Sequence, residues 1–240
     1  VFLDGNGTWT YAADQLDIAS TDNCALDSLW TDPERLSCDA LGADNSVKLI
    51  ARDRTGRTDT CMTQVTVKDT IAPIALCKTD EVRYLDEDGE VRLVLDSASY
   101  DNCLSGLTMW QSQDILTCVD LGTTDYSLFV EDASGNRDTC QTTVALLDTI
   151  RPVAECTNQT VFLNNQGSVT ITANSINGGS TDNCGLHALS INRAVFGCGD
   201  VGEKSVTLTV TDQAGNTDQC TATITIRDTV APIALCRSAT

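Results

Sequence analysis

Residues 205–226 of this 240-residue chain read Ser-Val-Thr-Leu-Thr-Val-Thr-Asp-Gln-Ala-Gly-Asn-Thr-Asp-Gln-Cys-Thr-Ala-Thr-Ile-Thr-Ile. Apolar side chains alternate with hydroxyl-bearing ones on both sides of the segment 212–216. The apolar positions are Val206, Leu208, Val210, Ala222, Ile224 and Ile226. Alternation with a period of two is typical of strands that bury one face. Since Gly215 and Asn216 tolerate a positive φ, the stretch predicts two antiparallel strands joined by a tight turn.

Similar patterns occur in the preceding residues. Segments 126–132 and 140–147 flank the turn Ala133-Ser-Gly-Asn136, and segments 161–163 and 169–173 flank Asn164-Asn-Gln-Gly167. No stretch has a convincing helical period. Several short strands within about 80 residues are typical of a two-sheet antiparallel sandwich. The sequence therefore predicts an all-β fold of tandem immunoglobulin-like domains.

The chain is an internal repeat. Asp69-Thr-Ile-Ala-Pro-Ile-Ala-Leu-Cys77 returns as Asp148-Thr-Ile-Arg-Pro-Val-Ala-Glu-Cys156 and as Asp228-Thr-Val-Ala-Pro-Ile-Ala-Leu-Cys236. The tripeptide Asp-Asn-Cys recurs at intervals of 79 and 81 positions, ending at Cys24, Cys103 and Cys184. We expect a first repeat at 1–70 that lacks its first strand, further repeats at 71–149 and 150–229, and the first strand of a following repeat at 230–240.

Composition restricts the classes of function. Twelve cysteines without a Cys-x-x-Cys pair favour disulfides in an oxidising, extracellular compartment. The formal net charge of −19 disfavours nucleic acid and anionic lipid as partners, and we expect no direct membrane insertion. His187 is the only histidine, so the repeated catalytic and zinc sites that need histidine are excluded, and we predict that the protein is not an enzyme.

The cysteines of one repeat allow three connectivities. If the first strand runs parallel to the last, Cys77 pairs with Cys140 and Cys156 with Cys220. The remaining predicted bonds are then local: Cys24–Cys38, Cys103–Cys118 and Cys184–Cys198, with Cys61 and Cys236 paired outside this segment. A competing scheme joins Cys61 to Cys77 and Cys140 to Cys156 across the repeat boundaries.

The two ends of the sequence continue each other's register. Cys236-Arg-Ser-Ala-Thr240 followed by Val1-Phe-Leu-Asp-Gly-Asn-Gly7 matches the segment from Cys156 to Gly167. We expect neighbouring repeats of one array to meet head to tail, with Thr240 followed in register by Val1 of the next unit. Either the repeats belong to a longer array, or separate chains exchange a strand by β-strand complementation, with Cys236 bonded to Cys61 of the neighbour.

In the linker, the Asp-Asn-Cys loop and the Asp-x-x-Gly-Asn hairpin, the sequence resembles the hyalin-repeat family of immunoglobulin-like modules. It is similar also to the tandem repeats of giant surface adhesins of Bacteroidota, including those used in gliding motility. The resemblance implies secretion, a long array on the cell surface, and adhesion or filament formation. Repeat one departs from it at Arg54-Thr-Gly-Arg57, where the other repeats carry Asn136 and Asn216.

Two kinds of site are predicted. No cofactor is required, but carboxylates that recur at the repeat boundaries could hold calcium, which prefers oxygen ligands. They are Asp22, Asp53, Asp69, Asp101, Asp132, Asp148, Asp182, Asp212 and Asp228. The linker threonines Thr70, Thr149 and Thr229 fit an O-glycosylation motif, and Asn6 and Asn158 fit the N-glycosylation pattern.

The predicted function is therefore a structural repeat segment of an extracellular filament or giant adhesin. Other cells and surface glycans are candidate partners of such an adhesin. A strand-exchanged polymer is the first alternative. An array of carbohydrate-binding modules is the second, in which Trp9, Trp30 and Trp110 would contact sugars rather than fill the cores.

Overall fold

The computed structural model describes residues 1–42 and 44–236. By contacts between Cα atoms the chain divides into two compact units. Unit 1 comprises Val1–Glu81, Val94–Asp114 and Asp125–Val144, and unit 2 comprises Val82–Leu93, Ile115–Thr124 and Ala145–Thr240. The residues of the middle repeat are shared between the two units. The repeat boundaries at 70, 149 and 229 stay a prediction.

Every repeat is built from short strands. The first has β1 (Thr8–Thr10), β2 (Leu26–Asp32), β3 (Arg35–Ser37), β4 (Asp44–Asp53) and β5 (Thr58–Thr66). The second has β6 (Glu81–Tyr84), β7 (Glu90–Arg92), β8 (Thr108–Gln111), β9 (Ile115–Thr117), β10 (Gly122–Glu131) and β11 (Arg137–Leu147). The third has β12 (Gln159–Phe162), β13 (Ser168–Thr170), β14 (Leu186–Ile191), β15 (Val195–Gly197), β16 (Gly202–Asp212) and β17 (Thr217–Arg227).

In the described residues, helical structure is confined to single turns. The α-helix α1 is Ala173–Ile176, and the 3-10 turns are Ala13–Gln15, Cys38–Ala40, Cys118–Asp120 and Cys198–Asp200. Among the described residues, no helix has the length and apolar character needed to cross a bilayer.

Each repeat forms a larger and a smaller sheet. The larger sheets have the strand orders β2-β4-β5, β6-β11-β10-β8 and β12-β17-β16-β14, and the smaller ones pair β1 with β3, β7 with β9 and β13 with β15. Strand β12 runs parallel to β17, with Gln159 opposite Ile224, as the sequence predicts for the first and last strands. The fold is all-β, and its disulfide-stapled repeats are immunoglobulin-like sandwiches.

The alternation of the opening stretch determines the core of the third repeat. Val206, Leu208 and Val210 on β16 are 0% exposed, and so is Ile224 on β17. These side chains pack with Phe196 of the small sheet, which closes the sandwich. One difference concerns segments 161–163 and 169–173. The strands there, β12 and β13, belong to different sheets, because β13 pairs with β15 instead.

Two predicted disulfides, Cys77–Cys140 and Cys156–Cys220, are present in the structure. Three predicted local bonds are wrong: Cys24–Cys38, Cys103–Cys118 and Cys184–Cys198. Cys38 bonds instead to Cys103 and Cys118 to Cys184, each pair coming from consecutive repeats. The alternative scheme, Cys61–Cys77 with Cys140–Cys156, is absent as well, since Cys77 and Cys140 bond to each other.

The physical reason for the correction is that the cysteine after Asp-Asn points into the preceding repeat. Cys103 is 3% exposed and packs in the core cluster of repeat one, beside Leu3, Leu36 and Val67. The short 3-10 turn that begins at Cys38 places the partner sulfur there. Cys24, Cys61, Cys198 and Cys236 are exposed and form no disulfide within the described residues.

Candidate functional site at the junctions between repeats

The structure contains two chemically equivalent junctions, at each of which an Asp-Asn-Cys loop docks on the preceding repeat. The first junction contains Asp4, Gly7, Asp69, Asp101, Asn102, Cys103, Asp132 and Asn136, all within unit 1. The second junction contains Asp86, Gly89, Asp148, Asp182, Asn183, Cys184, Asp212 and Asn216, all within unit 2. The same contacts hold each loop in place.

The loop asparagine makes the first of these contacts. Asn102 Nδ2 donates to the carbonyl oxygen of Asp4 at 3.1 Å, and Asn183 Nδ2 donates to that of Asp86 at 3.1 Å. Since a carbonyl oxygen only accepts, this bond fixes which end of the amide is the nitrogen. The amide oxygen Oδ1 of each asparagine therefore faces the interior of the junction.

The receiving surface is a tight turn that begins at an aspartate. Asp86 Oδ1 accepts hydrogen bonds from the backbone N–H groups of Asp88 and Glu90, at 3.0 Å each. The turn ends at Gly89, whose φ of +75° favours glycine. A Cβ at Gly89 would lie 2.8 Å from Cys118 Sγ and 2.9 Å from the carbonyl oxygen of Asn183, so the absence of a side chain permits the close approach.

The linker aspartate connects the loop to the chain entering the next repeat. Asp69 Oδ1 accepts from the backbone N–H of Ile71 at 3.1 Å and from Asn102 Nδ2 at 3.2 Å. At the second junction Asp148 Oδ1 accepts from the N–H of Ile150 at 3.0 Å and from Asn183 Nδ2 at 3.5 Å. In both cases these bonds use one carboxylate oxygen only.

The hairpin asparagine ties the turn between the last two strands to the same linker. Asn216 Nδ2 donates to the carbonyl oxygens of Asp148 and Ile150 at 3.2 and 3.1 Å, and to Asp212 Oδ2 at 2.8 Å. Asn136 makes the corresponding bonds at the first junction. The Asp-x-x-Gly-Asn motif thus positions an aspartate of the turn beside the linker aspartate.

Three buried oxygens at each junction have no hydrogen-bond partner. At the first junction these are Asp69 Oδ2, Asp101 Oδ1 and Asn102 Oδ1, and at the second they are the equivalent atoms of Asp148, Asp182 and Asn183. Asp69 is 5% exposed, Asp101 7% and Asp148 6%. Buried polar atoms are almost always paired, so the same three unpaired atoms at two positions need an explanation.

Negative charge is concentrated at the same two junctions. One carboxylate oxygen from each of Asp148, Asp182 and Asp212 lies within 4.8 Å of those of the other two. Burial raises the pKa of Asp182 above its usual value, and the negative charges of Asp212 and Asp148 raise it further. The pKa of Asp101 is raised in the same way, by burial and by the charges of Asp69 and Asp132.

The structure brings together six of the nine aspartates predicted as calcium ligands. At the second junction these are Asp148, Asp182 and Asp212; at the first, carboxylate oxygens of Asp69 and Asp101 lie within 4.8 Å of each other, and Asp132 is close enough for its charge to act on Asp101. Asp22 and Asp53 are half-buried and line a groove of about 380 Å³ in repeat one with Leu49, Asp59 and Cys61. Asp228 is exposed, and its Oδ1 accepts from the backbone N–H of Val230 at 3.0 Å. The linker aspartates thus share one local turn, whether or not a loop docks on it.

The positions predicted as glycosylation sites are all exposed: Thr70, Thr149, Thr229, Asn6 and Asn158. Asn158 Oδ1 also accepts a hydrogen bond from the backbone N–H of Thr223 at 2.8 Å. Exposure is necessary for modification but does not test it. Thr240 lies outside the described residues, and so does its predicted continuation into Val1.

Sequence reasoning missed the loop asparagines, Asn102 and Asn183, and a second pair of aspartates. Asp138 Oδ2 accepts from the backbone N–H of Ala75 at 2.9 Å, and Asp218 Oδ2 from that of Ala154 at 2.9 Å. These carboxylates hold the segment that carries Cys77 or Cys156 against the last strand. An Asp-x-Cys signal was available, since Asp59, Asp138 and Asp218 each precede a cysteine by two positions.

The remaining predicted residues are scattered over the strands. His187 is exposed on β14. Trp110 is 42% exposed and stacks on Phe129 at 5.5 Å between ring centroids, with the Arg137 guanidinium 5.9 Å from the Trp110 ring. Trp9 is partly buried and stacks on Tyr11 at 4.1 Å.

No family model matches the chain, and no curated protein matches it. Among solved structures, the I-band fragment I67–I69 of titin is 13% identical, with 88% of this chain and 84% of that chain covered and a TM-score of 0.42. Extracellular cadherin domains 1–5 of protocadherin gamma B2 are 15% identical, with 79% and 47% covered and a TM-score of 0.36. The insect immune protein hemolin is 10% identical, with 80% and 58% covered and a TM-score of 0.37.

Proposed function

We propose that this chain is a structural segment of an extracellular array of immunoglobulin-like repeats that serves adhesion. The observation that carries the proposal is the pair of disulfides Cys38–Cys103 and Cys118–Cys184, which join consecutive repeats. Each boundary is then crossed by two covalent connections, the linker and the disulfide. Such a boundary transmits tension without depending on non-covalent packing alone.

Together with Cys156–Cys220, these bonds shorten the covalent path through the chain. The shortest path follows residues 1–38, 103–118, 156–184 and 220–240. It contains about 100 residues and extends to at most about 340 Å, against about 820 Å for the reduced chain. A pulled array of this type would resist lengthening even after its sandwiches unfold.

Single-molecule stretching of the oxidised and the reduced protein tests this mechanical role. The oxidised chain should reach less than half the extension of the reduced chain. Equal extensions before and after reduction would contradict the proposal.

The same chemistry supports an extracellular location, because disulfides persist in oxidising compartments and the net charge of −19 keeps a crowded array soluble. The resemblance to hyalin repeats and to gliding-motility adhesins of Bacteroidota supports a cell-surface array. Labelling intact cells with a membrane-impermeant amine reagent should modify the protein. Labelling only after lysis would exclude a surface location.

A second candidate is a polymer of separate chains that exchange a strand. The groove of about 380 Å³ in repeat one contains Asp59 and Cys61, the counterparts of Asp218 and Cys220, which bind the linker segment in repeat three. In segment 230–236, Ile233 is 86% and Leu235 92% exposed. This segment of one chain would fill the groove of the next, with Cys236 bonded to Cys61.

The mass of the polypeptide in denaturing conditions separates the two candidates. A reduced mass far above 25.6 kDa supports a longer array. A reduced mass near that value, with a ladder of multiples before reduction, supports the polymer.

A further inference from the structure

We propose that each junction binds one Ca²⁺ through Asp69, Asp101, Asn102 and Asp132 at the first junction and through Asp148, Asp182, Asn183 and Asp212 at the second. This inference goes beyond the proposed function and stands independently of it. Three features of each junction support a bound cation: the unpaired oxygens, the charge of the carboxylates and the chemical type of the ligands.

The unpaired oxygens belong to side chains that are already fixed by their other atoms. Asp101 Oδ2 accepts from the backbone N–H of Cys103 at 2.8 Å, and Asp69 Oδ1 is held as described above. Three oxygens therefore have a fixed position and no hydrogen-bond donor: Asp101 Oδ1, Asp69 Oδ2 and Asn102 Oδ1. Leaving such groups buried without a partner destabilises the fold, and a cation is the partner that satisfies several oxygens at once.

The negative charge of the carboxylates is a second reason for a bound cation. Carboxylates gathered at one buried location repel each other when they are ionised. The donors that reach them are backbone and side-chain amides, which carry no net charge. A divalent ion would offset most of this repulsion.

The ligand chemistry favours calcium over other metals. The first cluster also contains Cys103 Sγ, but this sulfur is part of a disulfide and offers no thiolate to zinc. The remaining ligands are oxygens of carboxylates and an amide, the set that Ca²⁺ takes at 2.3 to 2.6 Å. At the second junction one oxygen from each of three carboxylates lies within 4.8 Å of the other two, which is close enough for one ion to bind all three. Mg²⁺ retains several waters and fits a dehydrated set of side chains less well.

The arrangement is repeated. The same three atoms are unpaired at both junctions, on residues 79 to 81 positions apart in the sequence. Asparagine at the position after Asp101 and Asp182 supplies a neutral oxygen in both cases. Turn chemistry alone accounts for one oxygen of Asp69 and one of Asp101, because the local backbone N–H groups reach only Oδ1 of Asp69 and Oδ2 of Asp101.

Calorimetric titration of CaCl₂ into the oxidised, chelator-treated chain tests the proposal. We expect two equivalents to bind. Asp101→Asn should abolish binding at the first junction and Asp182→Asn at the second, and the double variant should bind neither equivalent. Glu203→Gln, which removes one exposed carboxylate of β16, is the matched control and should retain both.

Thermal unfolding provides a readout that a merely structural role would not change. In EDTA, Asp182→Asn should unfold at the same temperature as the unaltered chain or higher, because it relieves repulsion. Added Ca²⁺ should raise the unfolding midpoint of the unaltered chain. It should raise the midpoint of Asp182→Asn less, because only the first junction of that variant can bind the ion. Failure to bind Ca²⁺, retention of both equivalents by Asp182→Asn, or tighter binding of Mg²⁺ would each overturn the proposal.

Discussion

Cys118 and Cys184 lie 66 positions apart and form a disulfide between consecutive repeats, with their Cα atoms 5.4 Å apart. Cys118 Sγ is 3.6 Å from the carbonyl oxygen of Gly89 and 3.7 Å from that of Asn183. The bond therefore lies where the turn of one repeat meets the loop of the next. Its formation requires that the loop has docked, so the disulfide reports on the junction directly.

The disulfide pattern can be determined by digestion without reduction and mass spectrometry. We expect cross-linked peptides that contain Cys38 with Cys103 and Cys118 with Cys184, because the docked loops bring these sulfurs together. Peptides joined through Cys77–Cys140 serve as the internal control, since both the sequence and the structure predict that bond. Recovery of Cys103–Cys118 would contradict the docking of the loops.

Gly89→Ala should destabilise the second junction more than glycine strain alone explains. The added Cβ would lie 2.8 Å from Cys118 Sγ and 2.9 Å from a backbone oxygen, and overpacking of this kind costs about 1 to 3 kcal/mol. The positive φ of +75° adds about 1 kcal/mol. Guanidinium unfolding of the oxidised protein measures the sum.

Gly135→Ala is the matched control for this experiment. Gly135 has a φ of +88°, but a Cβ there would meet no atom within 4 Å. This variant should therefore show the strain without the clash. Equal destabilisation by the two substitutions would mean that Gly89 has no role in the close approach.

The sequence predicts the sandwich well because its signal is local. The alternation through Val206 to Val210 depends on neighbouring side chains of one strand, and all three are buried as predicted. The disulfides differ in the same way: the bonds within one repeat could be predicted, and the bonds between repeats could not. Cys77–Cys140 follows from the parallel first and last strands of one repeat, whereas Cys38–Cys103 depends on how two repeats dock.

The residues of the candidate site could be predicted only in part. Recurrence at the repeat period identified Asp69, Asp101 and Asp132, since a site built from repeats must recur with them. Asn102 was missed because its amide oxygen has no role that a single repeat would reveal. Its function appears only when its nitrogen is bound to Asp4 of the preceding repeat.

The attachment of the linker segment in repeat three should weaken in acid. The backbone N–H groups of Ala154 and Gln219 hold the pKa of Asp218 below its usual value. A carboxylate whose pKa is lowered by folding stabilises the folded state above the unfolded pKa of about 3.9, and this contribution is lost as the pH falls through the folded value. The protection of the Ala154 amide, which is the factor by which its exchange is slower than that of an unstructured peptide at the same pH, should therefore fall below about pH 4.

Asp218→Asn keeps an acceptor oxygen but removes the charge, so exchange at Ala154 should be faster at neutral pH and lose this pH dependence. Asp125→Asn, an exposed carboxylate that accepts from Thr143 Oγ1, is the control and should leave it unchanged. Unaltered exchange at Ala154 in Asp218→Asn would show that the bond does not hold the segment.

Asn216→Ala should loosen the linker at the second junction. The variant loses the contacts from Nδ2 to Asp148, Ile150 and Asp212, in which two amide hydrogens serve three acceptors. We expect a loss of about 2 kcal/mol, because a hydrogen bond contributes about 1 kcal/mol and the turn is half-buried. Gln213→Ala, at an exposed position of the same turn, should stay within about 0.5 kcal/mol of the unaltered chain. Since Asn216 contacts the linker and the aspartate of the turn but not the loop cysteine, the disulfide Cys118–Cys184 should still form. Denaturant unfolding with peptide mapping of the same sample measures both effects, and loss of the disulfide would mean that Asn216 also controls docking of the loop.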